Sequence, residues 1–115
     1  MIKYILLLTL SLNIFAQETV KANDNRALGL KLFKAKSCTM CHKKNTTSIG
    51  PTIEEIAVGY SGKEDALILY LKGKKKAIIK PRKAHIMKAQ IIKLNTISDK
   101  KLKAIARYLI TIKDR

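Results

Sequence analysis

Residues 38–42 read Cys-Thr-Met-Cys-His and hold both cysteines of the 115-residue chain. Two thiols and an imidazole within five positions constrain the fold more than any other feature, because they have to act on one object. A thioredoxin-like redox pair would sit near a βαβ pattern, and no such alternation is legible in this sequence. A tetrahedral zinc site needs four ligands, and the remaining candidate is the solitary His85. A disulfide across two residues closes a very short loop and restrains little of the unfolded chain. Covalent attachment of a c-type haem is the reading that employs Cys38, Cys41 and His42 together. Each thiol would add across a vinyl group to give a thioether, and the two-residue spacer lets both sulfurs reach one edge of the macrocycle. His42 would then lie beneath the iron as its proximal ligand. A chain built this way has to wrap a large, flat, apolar group.

The N-terminus is expected to direct export. Lys3 supplies a small positive region, Ile5 to Phe15 is apolar, and Ala16 offers a small residue before a cut, so residues 1–16 read as a signal peptide. Ala22 is the next candidate boundary. A retained membrane anchor is the alternative, but a spanning helix needs about twenty apolar residues, and Thr9, Ser11 and Asn13 interrupt this run. Residues 17–115 are expected to form one small domain, with no repeats and no Gly/Ser linker. A scaffold of that size buries a limited core, and covalent haem would act as its staple.

Helical signals dominate the rest. Asp24 or Asn25 can cap a helix running to about Lys36, with Leu28, Leu32 and Ala35 at helical spacing beside Gly29 and Phe33. Thr52 and Glu55 form a capping box ahead of Ile53, Ile56 and Ala57, with Gly59 ending that helix. Ser61 and Glu64 form a second box ahead of Leu67, Tyr70 and Leu71, with Gly73 as the stop. The strongest pattern follows Ser98, where Asp99 sits in the first turn and Leu102, Ile105, Ala106, Leu109 and Ile110 share one face.

Along most of residues 17–115 these features resemble the class I cytochromes c. The segment Leu28-Gly29-Leu30-Lys31-Leu32-Phe33, shortly before Cys38, is similar to the N-terminal helix of that family, where a glycine and an aromatic meet the C-terminal helix. Tyr108 is the matching aromatic. The resemblance implies an all-α fold of three to five helices wrapped around one covalently attached haem c. Gly50-Pro51 also matches the family pattern, which implies that the Pro51 carbonyl accepts a hydrogen bond from His42 and so orients the ligand; a plain turn is the alternative. The family's ligand loop falls between Gly73 and the last helix, and Met87 lies there, behind a bend at Pro81. Methionine is the usual partner of histidine in electron-carrying cytochromes c, so the resemblance implies that Met87 is the second axial ligand. A core methionine is the alternative. The chain departs from its relatives in having no prolines after Met87 and no tryptophan. That loop is expected to be extended, or partly helical. In an extended loop His85 would point the same way as Met87 and compete for the iron.

Formal charge is +16, or +15 once Lys3 leaves. Lys72, Lys74, Lys75, Lys76, Lys80, Arg82 and Lys83 place seven cations in twelve residues with no acid among them. Such a run attracts acidic surfaces, and Arg82 or a neighbouring lysine could pair with a haem propionate. Without a base-reading motif, nucleic acid is excluded as a partner. Acidic docking faces of redox proteins fit better, such as a membrane oxidoreductase or a terminal oxidase or reductase. Anionic lipid is the second option, and a solvated surface the third. With the export signal, the resemblance implies a monomeric periplasmic electron carrier rather than an enzyme, with one His/Met-ligated haem c. The alternatives are a haem enzyme or gas sensor with a labile sixth ligand, and a small subunit of a larger redox complex.

Overall fold

The computed structural model describes residues 25–112, so the expected signal peptide and the Asp24 cap lie outside it. Residues 25–35 form helix α1, and the chain then turns through Ser37, at φ 61°, into a short 3-10 turn over Cys38–Met40. Helices α2 (Ile53–Gly59), α3 (Glu64–Leu71), α4 (Lys88–Leu94) and α5 (Asp99–Thr111) follow. A second 3-10 segment, Pro81–Met87, leads directly into α4. No strand occurs among the described residues. The all-α expectation holds.

Helix α5 is the organising element. Leu102, Ile105, Ala106 and Leu109 are buried as the periodicity requires, and so are Ala104 and Tyr108. The buried stripe is wider than the sequence pattern because α5 is covered from more than one side. Helices α2 and α3 both pack against it, and α1 crosses it at Gly29. A Cβ built at Gly29 would overlap the Ala104 carbonyl oxygen and lie 2.7 Å from Tyr108 Cβ. Only a residue without a side chain allows that approach. Phe33, Leu67 and Ile105 are the largest fully enclosed side chains, each contributing about 1.5–3 kcal/mol by burial. Arg26 Nη2 donates to the Thr111 carbonyl at 2.8 Å, which places a cation at the negative end of α5.

Local capping explains most helix ends. Thr52 Oγ1 accepts from the Glu55 amide at 3.0 Å, and Ser98 Oγ accepts from the Lys101 amide at 3.3 Å, as expected for the starts of α2 and α5. Gly73, at φ 74°, closes α3. Its amide donates to Tyr70 O at 2.9 Å, and the Lys74 amide donates to Leu69 O at 2.8 Å, which is a Schellman ending.

One expectation is corrected, and one left open in the sequence is decided. Ser61 does not cap α3: the N-cap is Lys63, without a side-chain bond. The chain first makes a tight turn in which the Lys63 amide donates to Tyr60 O at 2.8 Å and Gly62 takes φ 71°, and this carries Ser61 away from the helix start. Of the two forms expected for the stretch before α5, the helical one is observed, with Pro81 opening the 3-10 segment. Proline has a fixed φ and lacks an amide hydrogen, so it suits a first helical turn. Lys80 ahead of it is left-handed, at φ 45° and ψ 55°, a conformation that costs an L-residue about 1–2 kcal/mol.

Candidate haem site

The segment after Cys41 folds back on itself. Gly50 donates its amide to Cys41 O at 2.9 Å, Ile53 to Lys43 O at 2.8 Å, and Glu54 to Lys44 O at 3.1 Å. These bonds bring Pro51 against the motif, where His42 Nδ1 lies 2.8 Å from the Pro51 carbonyl oxygen. A carbonyl can only accept, so the proton is on Nδ1 and the free lone pair is on Nε2. His42 is only 7 % exposed. Its ring is 6.4 Å from that of Phe33, which in turn lies 5.4 Å from that of Tyr108. The α1–α5 crossing therefore supports the imidazole through two aromatic contacts.

Gly50 is a residue that sequence reasoning undervalued. A Cβ there would stand 2.5 Å from His42 Cε1 and 2.9 Å from Nδ1. The imidazole is thus cradled against bare backbone. The signal was the glycine beside Pro51, but only the fold shows what approaches it.

His42 opens onto an apolar cleft of about 360 Å³. Cys38, Cys41, Pro51 and Met87 share its lining with His42, and aliphatic side chains such as Ile56, Leu67 and Leu109 complete the walls. All five residues singled out in the sequence therefore meet at one place. Both thiols are free, and burial pushes the Cys38 thiol above its ordinary pKa, which keeps it protonated near neutrality. Among the described residues no group of three or more His, Cys, Asp or Glu side chains is arranged for a metal ion. An apolar cleft, a cradled imidazole with one committed nitrogen, and two adjacent thiols fit a covalently held haem.

Met87 and His85 are separated by the 3-10 geometry. With three residues per turn, positions two apart point in different directions, unlike those of an extended loop. Met87 lines the cleft. His85 is exposed, and its Nδ1 lies 3.2 Å from the Arg82 carbonyl. The fold also thins the basic run. Lys72 pairs with Asp99 at 3.1 Å and Lys80 with Glu55 at 3.2 Å, so acids remote in sequence neutralise two of the seven cations. Lys80 and Lys83 line the cleft, whereas Arg82 does not.

A helical domain whose cleft gathers C-x-x-C-H defines a c-type haem protein. The cytochrome c family profile matches residues 27–113, and the chain belongs to that family, as a class I monohaem cytochrome c carrying covalently attached haem c. It is 28 % identical over 101 residues to cytochrome c-551 of Stutzerimonas stutzeri, covering 85 % of this chain and 86 % of that protein. Cytochrome c-552 of Nitrosomonas europaea is 34 % identical over 83 residues, covering 71 % and 76 % of the two chains. Cytochrome c-552 of Hydrogenobacter thermophilus is 29 % identical over 83 residues, covering 72 % and 80 %. These relationships make the protein a haem c electron carrier in kind.

Proposed function

We propose that the chain shuttles single electrons in the periplasm, with residues 1–16 directing export and residues 17–115 forming one monomeric haem domain. Cys38 and Cys41 carry the thioethers, His42 Nε2 is the proximal ligand, the Pro51 carbonyl holds the imidazole in register, and Met87 is the second axial ligand. The observation that carries this is the His42 Nδ1 to Pro51 bond within a cleft that Met87 also lines. Donation to a carbonyl fixes the ring orientation and raises the basicity of the other nitrogen. The haem iron supplies the one-electron couple. The protein residues would hold it and exclude water with aliphatic walls, and with His42 and Met87 both committed to the iron no position would stay open for a substrate and no catalytic activity would follow.

Lys74, Lys75, Lys76, Arg82 and Lys83 form no salt bridge among the described residues, and Lys83 reaches the cleft itself. A basic edge beside the redox centre suits an acidic face on a partner such as a membrane oxidoreductase or a terminal oxidase or reductase. Rim charges of this kind raise encounter rates more than affinity, which suits a carrier that has to leave after each transfer. A membrane-binding patch has no need to adjoin the cleft, so the protein partner is favoured over anionic lipid.

Absorption spectra of Met87→Ala and His85→Ala test the ligand set. Loss of the methionine-to-iron charge-transfer band in the first variant alone supports it, and its loss in neither variant overturns it. Rapid, complete carbon monoxide binding by the reduced wild type would favour a sensor or enzyme instead.

A further inference from the structure

We infer that Glu55 and Lys80 form a clamp that seats the Met87 segment at the cleft, making Glu55 a positioning residue for the sixth iron ligand. The inference rests on the reading of Met87 as that ligand. Three observations converge on the junction just ahead of Pro81.

The first is conformational. Lys80 is left-handed although it carries a side chain and precedes a proline, and both circumstances are sterically disfavoured. Such a conformation persists only where its surroundings over-determine it. The second is where those surroundings come from. Ile79 packs over Gly59, where a Cβ would stand 2.6 Å from Ile79 Cδ1, and Lys80 Nζ lies 3.2 Å from the Glu55 carboxylate. Both anchors belong to α2. The third concerns the ligand segment itself. Pro81–Met87 contributes no buried residue to the protein core, so its position is inherited from the junction before it and from α4 after it.

Glu55 occupies the position from which a capping-box carboxylate would reach back to Thr52. Thr52 still caps the helix, while the Glu55 side chain serves a segment 25 residues further along the chain. The other two ion pairs among the described residues, Lys72 with Asp99 and Arg107 with Glu64, join α5 to α3 and its C-terminal end. Among the described residues, only the Glu55 pair reaches the junction that leads into the ligand segment.

The test is displacement of the native sixth ligand by imidazole in the ferric holoprotein, followed by stopped-flow at the methionine-to-iron band. Glu55→Gln is expected to speed displacement by up to about fivefold, which is about 1 kcal/mol, the upper range for a half-exposed pair. Added salt should speed the wild type towards the Glu55→Gln rate and leave that variant unchanged. Glu64→Gln, which frees Arg107, is the control: its thermal midpoint should fall while its displacement rate stays at the wild-type value. Equal rates in wild type and Glu55→Gln would overturn the clamp. So would acceleration by Glu64→Gln, since general loosening would then account for both variants. Absence of the band from the wild type would instead refute Met87 as ligand, and the clamp with it.

Discussion

Replacing Gly29 with alanine sets two physical effects of opposite sign against each other. Gly29 lies inside α1, where alanine is favoured over glycine by about 0.8–1.0 kcal/mol in helix propensity. The new Cβ, however, would overlap the Ala104 carbonyl oxygen and stand 2.7 Å from both the Ala104 carbonyl carbon and Tyr108 Cβ. Ordinary carbon contacts begin at about 3.5 Å, so α1 has to retreat from α5 by on the order of 1 Å. Backbone atoms of a helix packed on several sides cannot yield that distance. Phe33, one turn along α1 and only 2 % exposed, moves with it. A buried side chain of this size makes some forty or more contacts of about 0.1–0.2 kcal/mol, and a gap of about 1 Å forfeits a quarter to a half of each. The packing loss is therefore about 1–4 kcal/mol. After the propensity gain, Gly29→Ala should destabilise the holoprotein by roughly 2 kcal/mol, or about 10 °C in Tm for a domain of this size. Urea denaturation of haem-loaded protein measures the first quantity and thermal circular dichroism the second. Wild-type stability or better in Gly29→Ala would refute the crossing geometry and leave propensity as the governing effect.

Other perturbations probe the site and its supports. Gly50→Ala drives a methyl group against the His42 ring and should cost about 1–3 kcal/mol by overpacking, with a shifted His42 ring N–H resonance reporting strain in the bond to Pro51; an unmoved resonance would count against the cradle. Thr52→Ala removes the α2 cap and should lower urea stability by about 1 kcal/mol. Hydrogen bonding and charge from Lys72 hold the Asp99 carboxyl below its ordinary pKa. Its contribution is therefore complete above the unfolded carboxylate value of about 4 and fades as pH falls through the lower folded value. Asp99→Asn should accordingly be less stable than wild type at neutral pH and indistinguishable from it in strong acid, and a gap independent of pH would refute the pairing.

Legibility tracks the range of the interactions involved. The caps at Thr52 and Ser98 and the stop at Gly73 are readable because each is closed by groups within a few residues along the chain. Ser61 misleads for the complementary reason. Its spacing to Glu64 satisfies the capping pattern, but the turn through Gly62 has already redirected the backbone. The ligand region is ambiguous in sequence because Pro81 signals a bend and a first helical turn equally well. Only the observed 3-10 segment separates Met87 from His85. The basic run, with no acid among its twelve residues, gives no sign that Asp99 and Glu55 reach into it.

By itself the sequence determined the chemistry and the local helices. Two thiols and an imidazole in five residues specify covalent haem, and the 3.6-residue periodicity after Ser98 specifies a helix with one apolar face. Both are short-range properties, written in neighbouring residues whatever the rest of the chain does. Tertiary structure alone decided which nitrogen of His42 is free, why a side chain at position 50 would crowd the His42 ring, how far the buried stripe of α5 extends, and that Glu55 meets Lys80. Each of these depends on segments that approach only after the chain has closed around its core, and no local pattern encodes the distance between them.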